Sequence, residues 1–242
     1  MIRSLCSRAL LSLLAAACSA PAPAPAPTAA PTPAAAPTPT AAAQPADTGT
    51  APAVVVPSFP NNTCPIMGKA ASLELFTDTP AGRIYLCCKP CVPKVQADVP
   101  AAVQTAFPVP QRHRNPKCPV TGNPIGAFAE TVVLQGHEFQ VCCAECVERA
   151  RRDAQTTLVH LLLPEVRDLD NPTCPVSGEP VAPNAVVQVG DELVHLASLR
   201  HLAAVERDPA GALAKARTSA AGRPASTPHV PQPRTGAAEA GR

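Results

Sequence analysis

The chain has 242 residues with 32 prolines, an aromatic share of 2% and no tryptophan. That is too little large apolar surface for one extended core, so the chain must divide into small modules or stay partly unfolded. A formal net charge of +2 with acids and bases interspersed excludes a nucleic-acid-binding stripe and an acidic tail, and the "ERARRD" run from Glu148 reads as a solvated helix face.

Residues 1–18 read as a targeting signal. Arg3 and Arg8 supply a basic start, and "ALLSLLAAA" is an apolar stretch too short to span a bilayer. "LAAAC" resembles the bacterial lipobox, whose cysteine is lipidated, although Ala15 stands where a leucine is more usual. The expectation is an exported protein anchored through Cys18 in the cell envelope, on the periplasmic or outer-membrane face; an ordinary secretory peptide is the alternative. Cys6 is lost in either case. Residues 19–60, with "APAPAPTAAPTPAAAPTPT", favour extended polyproline-like conformations and read as a disordered linker. Residues 219–242 have the same character, so His229 is expected to be solvated.

Between these segments the chain repeats itself three times, over 61–110, 111–166 and 167–218. The openings are "NNTCPIMGKA", "RNPKCPVTGNPI" and "DNPTCPVSGEPV". Each is followed by two β-like runs with alternating polarity: "SLELF" and "RIYLC", "ETVVLQ" and "HEFQVC", "AVVQV" and "ELVHL". The period then becomes helical. "CVERARRDAQTTLVHLL" carries Val147, Ala150, Ala154 and Leu158 on one face, and "SLRHLAAVERDPAGALAKAR" breaks at Pro209. The fold class is therefore α+β, as three tandem modules of knuckle, hairpin and helix. Modules of this size commonly need a metal, disulfides or a neighbour to stay folded.

The cysteines follow the repeat. Cys64, Cys87 and Cys91 in module one match Cys118, Cys142 and Cys146 in module two, with nearly equal intervals. A hairpin returns the chain to its start, so the knuckle cysteine approaches a pair at the beginning of a helix, where the helix N-terminus favours thiolate. The "CPV-S/T-G" turn bends the backbone as zinc knuckles do. Soft sulfur donors suit Zn2+, Cu+ or another thiophilic ion and exclude magnesium and calcium.

These residues resemble the TRASH and YHS families, small treble-clef-like modules in which a spaced cysteine precedes Cys-x-x-x-Cys. The resemblance covers modules one and two well and module three only in its opening and layout. It implies heavy-metal binding tied to trafficking, sensing or resistance. Cys88 and Cys143 are either fourth ligands or packed thiols, with water, His137 or an outside group as other candidates for that position. Aligning "GDELVHLASLR" on "GHEFQVCCAEC" puts Leu196, Ala197 and Arg200 where Cys142, Cys143 and Cys146 stand. Module three is thus expected to be degenerate, with Cys174 having only His195 and His201 to recruit.

Three rivals use the same residues: a zinc-clamped module whose task is contact with another envelope protein, a disulfide scaffold, and a thiol-disulfide oxidoreductase. The scaffold is permitted by four cysteines per complete module, but a vicinal Cys87-Cys88 bridge is unfavourable. The oxidoreductase reading is the least favoured of the three, because it needs a βαβ framework around Cys-x-x-Cys where this chain has a hairpin within a short repeat. No phosphate loop, paired catalytic carboxylates or Ser-His-Asp arrangement is present, so an enzyme is not expected. The expected partners are a heavy-metal ion, the membrane and another envelope protein, without nucleic acid.

Overall fold

Each repeat builds a hairpin, buried on one face in module two and with its second strand buried throughout in modules one and three. In the computed structural model, which describes residues 52–222, module one contains β2 (Ser72–Thr79) and β3 (Gly82–Leu86), preceded in the chain by β1 (Val54–Val55). Helices α1 (Cys91–Ala97) and α2 (Val99–Ala106) follow. Module two runs β4 (Gln111–Arg112), β5 (Glu130–Leu134), β6 (His137–Val141), α3 (Ala144–Arg152) and α4 (Ala154–Leu162). Module three runs β7 (Arg167–Asp168), β8 (Val186–Val189), β9 (Glu192–His195), a 3-10 turn (Leu199–His201), α5 (Leu202–Arg207) and α6 (Pro209–Ala221). The architecture is α+β. The signal segment, Cys18, linker residues 19–51 and tail residues 223–242 with His229 lie outside the described residues. No helix among the described residues is long and apolar enough to cross a membrane.

The repeat is deeper than the cysteines alone indicate. An asparagine three residues before each knuckle cysteine ties the knuckle to the second hairpin strand. Asn61 bonds both backbone groups of Tyr85, Asn115 both of Gln140, and Asn171 both of His195, at 2.7–3.0 Å. The same amides donate to the carbonyls of Thr63, Lys117 and Thr173. These asparagines satisfy strand-end groups that no neighbouring strand reaches. The helical period of module two is interrupted at Asp153, rather than continuing from Cys146 to Leu162. Asp98, Asp153 and Asp208 stand at equivalent breaks, each capping the second helix of its module through the N–H of Ala101, Thr156 or Gly211.

The modules pack against one another. Each has its own core, and Val159, Val166, Val186 and Leu193 form another cluster where modules two and three meet. Modules one and two join at their hairpin turns, where the Gln135 N–H donates to the Ala81 carbonyl at 2.9 Å. Gly82 has φ +100°, and a Cβ there would lie 2.6 Å from Gln135 Cγ, so glycine is what admits this approach. Gln135 also donates to the Phe59 carbonyl and accepts from Gln155. Buried Arg83 is paired with Asp78 at 2.8 Å, stacks 3.8 Å over Phe76, and reaches the carbonyl of Asn184 in module three at 3.0 Å.

The linker expectation changes at its last residues. β1 pairs antiparallel with β8, giving module three a four-stranded sheet in the order β1-β8-β9-β7. Val54 and Val56 pack on the core of module three. Val54 and Val55, in a run of three valines within an otherwise Ala/Pro-rich stretch, thus cover an edge that would otherwise stay unpaired.

Candidate metal centres

Each knuckle is a tight turn closed on its cysteine. Cys64 N–H donates to the Lys69 carbonyl and accepts at its own carbonyl from Gly68 N–H; Cys118 does the same with Asn123 and Gly122, and Cys174 with Glu179 and Gly178. The glycines have φ of 64°, 73° and 75°, a region open to glycine at no steric cost. The turn directs backbone N–H groups at the knuckle sulfur. Burial pushes the Cys64 thiol up, but the N–H groups of Cys87, Ile66 and Met67 more than offset this and bring it to about 7. For Cys118 the opposing groups are the Thr121 hydroxyl and the N–H groups of Cys142, Val120 and Thr121, which leave it below the ordinary thiol value. For Cys174, the N–H groups of Ala197, Ser177 and Val176 bring it to about 7.

The hairpins and helix starts bring the other thiols back to the knuckles. The sulfurs of Cys64, Cys87 and Cys91 all lie within 4.8 Å of one another, as do those of Cys118, Cys142 and Cys146. Two groups of three cysteines are therefore placed to hold a metal ion. Cys87 and Cys91 are 4.0 Å apart, and Cys142 and Cys146 are 3.6 Å apart. With zinc-sulfur bonds of about 2.3 Å, a tetrahedron has edges of about 3.8 Å. Burial and the neighbouring sulfurs push the Cys91 thiol up to about 12, and Cys146 well above the ordinary range. Three thiolates this close repel one another, and a cation between them reverses that cost.

Cys88 and Cys143 stand beside these groups. Cys88 Sγ is 3.3 Å from Cys91 and 3.8 Å from Cys87, and Cys143 Sγ is 3.5 Å from Cys146. All these separations are those of non-bonded sulfurs, since a disulfide bond is about 2.05 Å. His137 is not brought to the module-two cluster. It sits at the far end of β6 from Cys142, with Nδ1 2.9 Å from His113 Nε2 and its ring in a T-shaped arrangement with Phe59. Burial and His113 together lower its pKa.

Module three corrects the sequence alignment by one residue. The Asn171 clamp places His195 level with Tyr85 and Gln140, so Ala197, Ser198 and His201 stand where Cys142, Cys143 and Cys146 stand. Leu196, Ala197 and Arg200 do not. The turn bonds agree: Cys91 N–H donates to the Cys88 carbonyl, Cys146 to Cys143 and His201 to Ser198. The source of the slip is the hairpin turn. In module two both central residues, Gln135 and Gly136, have positive φ as in a type I′ turn, whereas in module three only the first, Gly190, does, as in type II′. Matching glycine to glycine therefore shifts the register. His195 turns to Asp168 at 2.8 Å, which His160 also contacts at 2.8 Å, while His201 Nδ1 lies 3.3 Å from Cys174 Sγ.

The three asparagines and three aspartates are the functional scaffold that cysteine spacing missed. Their recurrence in "NNTC", "NPKC" and "NPTC", and at Asp98, Asp153 and Asp208, is the signal that reveals them. Compared with protein-family models, curated proteins and solved structures, the chain shows no match.

Proposed function

We propose that the chain is an exported, lipid-anchored cell-envelope protein that handles thiophilic metal ions, with modules of the TRASH/YHS kind. In this reading Cys64, Cys87 and Cys91 hold one ion and Cys118, Cys142 and Cys146 another, either Zn2+ or Cu+. Cys88 and Cys143 supply or border the fourth position, and Cys18 carries the anchor. The role is trafficking, sensing or resistance rather than catalysis. The observation that carries the reading is the twofold convergence of three cysteine sulfurs at the same places in a repeated knuckle, hairpin and helix.

A second reading, a zinc-clamped scaffold for another envelope protein, is favoured by one feature of module two. Its four cysteines are all part of the module core, where an ion would act chiefly as a staple. Elemental analysis of protein purified from its native envelope, with a thiol count, tests both. At least two ions per chain with reduced cysteines, exchanging readily in module one, support metal handling; ions in modules one and two that exchange only on unfolding support the clamp. Absence of metal with the thiols paired as disulfides overturns both in favour of a disulfide scaffold. Cys18→Ser should release the chain from the membrane, and continued membrane fractionation would remove the anchor from the reading.

A further inference from the structure

We propose that module three carries a third metal site, the pair Cys174 Sγ and His201 Nδ1, suited to a soft monovalent ion such as copper(I) or silver(I). The two atoms are 3.3 Å apart, and Cys174 is buried at the same knuckle position as Cys64 and Cys118. His201 takes the place of Cys91 and Cys146. Three separate registers agree on this: the asparagine clamp, the turn bond donated to the carbonyl of the residue three before, and the capping aspartate seven residues later.

The third corner decides the class of ion. Cys87 and Cys142 are replaced by Ala197, which offers no donor, so the protein supplies one sulfur and one nitrogen. Divalent zinc takes four ligands and would have to find two of them outside the protein side chains. A soft monovalent ion prefers thiolate and is satisfied by two donors set nearly in line, so the half-buried His201 ring must swing from its 3.3 Å hydrogen-bonding position to about 4 Å from the sulfur to admit it. His201 is half-buried and His195 is engaged with Asp168, which leaves His201 as the imidazole available to Cys174. The site does not require that modules one and two hold ions. The competing explanation is a cysteine-histidine hydrogen bond that only satisfies a buried thiol.

Anaerobic titration of the reduced full-length chain with silver(I), against a chelator of known affinity, separates these explanations. Cobalt(II) binding is read in parallel, and the His201 ring nitrogens are followed by nitrogen-15 NMR. The expected result is that His201→Ala and Cys174→Ser each bind one silver ion fewer than the unaltered chain, with cobalt binding unchanged. His201→Cys should retain the ion. The Nδ1 resonance of His201 should shift on silver addition, a readout that needs no variant and holds even if His201→Ala fails to fold. Equal silver binding by the unaltered chain and His201→Ala, or an Nδ1 resonance that silver leaves in place, would sink the proposal. Loss of cobalt binding with the His201 shift preserved would instead count against modules one and two alone.

Discussion

Modules one and two share their cysteine spacing but bury different parts of it. In module one the clamp residue Asn61 is buried, whereas Cys87 and Cys88 are half-exposed. In module two Asn115 is half-exposed, whereas Cys118, Cys142, Cys143 and Cys146 are all buried. Equal spacing brings the sulfurs together in both, but burial governs how easily anything reaches them. On the proposed reading, module one would be the site that exchanges its ion and module two the one built into a core.

The sharpest way to break this comparison is at the clamps. Asn61→Ala leaves the N–H and carbonyl of Tyr85 without their partner in a buried place and should cost about 3 kcal/mol, whereas water can replace part of the loss in Asn115→Ala, which should cost about 1 kcal/mol. Urea unfolding of the full chain measures both. Equal losses would mean that the two clamps do the same work despite their different exposure.

Thiol accessibility gives the next largest effect. In reduced, metal-free protein, Cys87 and Cys88 should be alkylated on the order of tenfold faster than Cys142 and Cys143, because reaction at the latter pair needs local opening. Peptide mass spectrometry after timed quenching reads the rates. Comparable rates would contradict the division between an exchanging and a structural site.

A smaller effect distinguishes how each module is attached to module three. Arg83 holds module one to Asn184 through a group that stays charged. Module two relies on His160, whose Nδ1 donates to the Pro119 carbonyl and whose Nε2 faces Asp168, opposite His195. Burial lowers the pKa of both histidines, but Asp168 more than offsets it and raises them above their ordinary values. Burial raises Asp168, but the two histidines outweigh it and hold its carboxyl well below the usual range. The histidine contribution is fully present below their unfolded value of about 6.5 and is lost as pH rises through the raised folded values; the Asp168 contribution is present above about 3.9 and lost as pH falls. Stability from this trio should therefore peak between about pH 4 and 6.5. Asp168→Asn should flatten that maximum in thermal unfolding, and an unchanged pH profile would show that the trio is not what links the modules.

Much of this is legible in the amino-acid sequence alone. The hairpin runs became strands within a residue, except that β2 runs three residues past "SLELF", but the half-buried pair that alternating polarity predicts is found only in module two, since β3 and β9 are buried throughout. The cysteine groups were legible because a hairpin returns the chain to its origin. The break at Asp153 was hidden because Ala150, Ala154 and Leu158 keep one apolar face across it, and periodicity alone does not register a cap.

By itself, then, the sequence determined what is local or repeated: three modules, their knuckles, and six cysteines that meet in two groups. Tertiary structure decided what depends on turn type and on distant partners. The exchange of a type I′ for a type II′ turn moved module three by one residue and put His201, not Arg200, beside Cys174. The open edge of β8 recruited Val54 and Val55 from across the chain, and the acceptor at Asp168 drew His195 away from the thiol. A two-residue turn admits glycine at either position, and an edge strand or a buried carboxylate takes whichever partner packing brings to it.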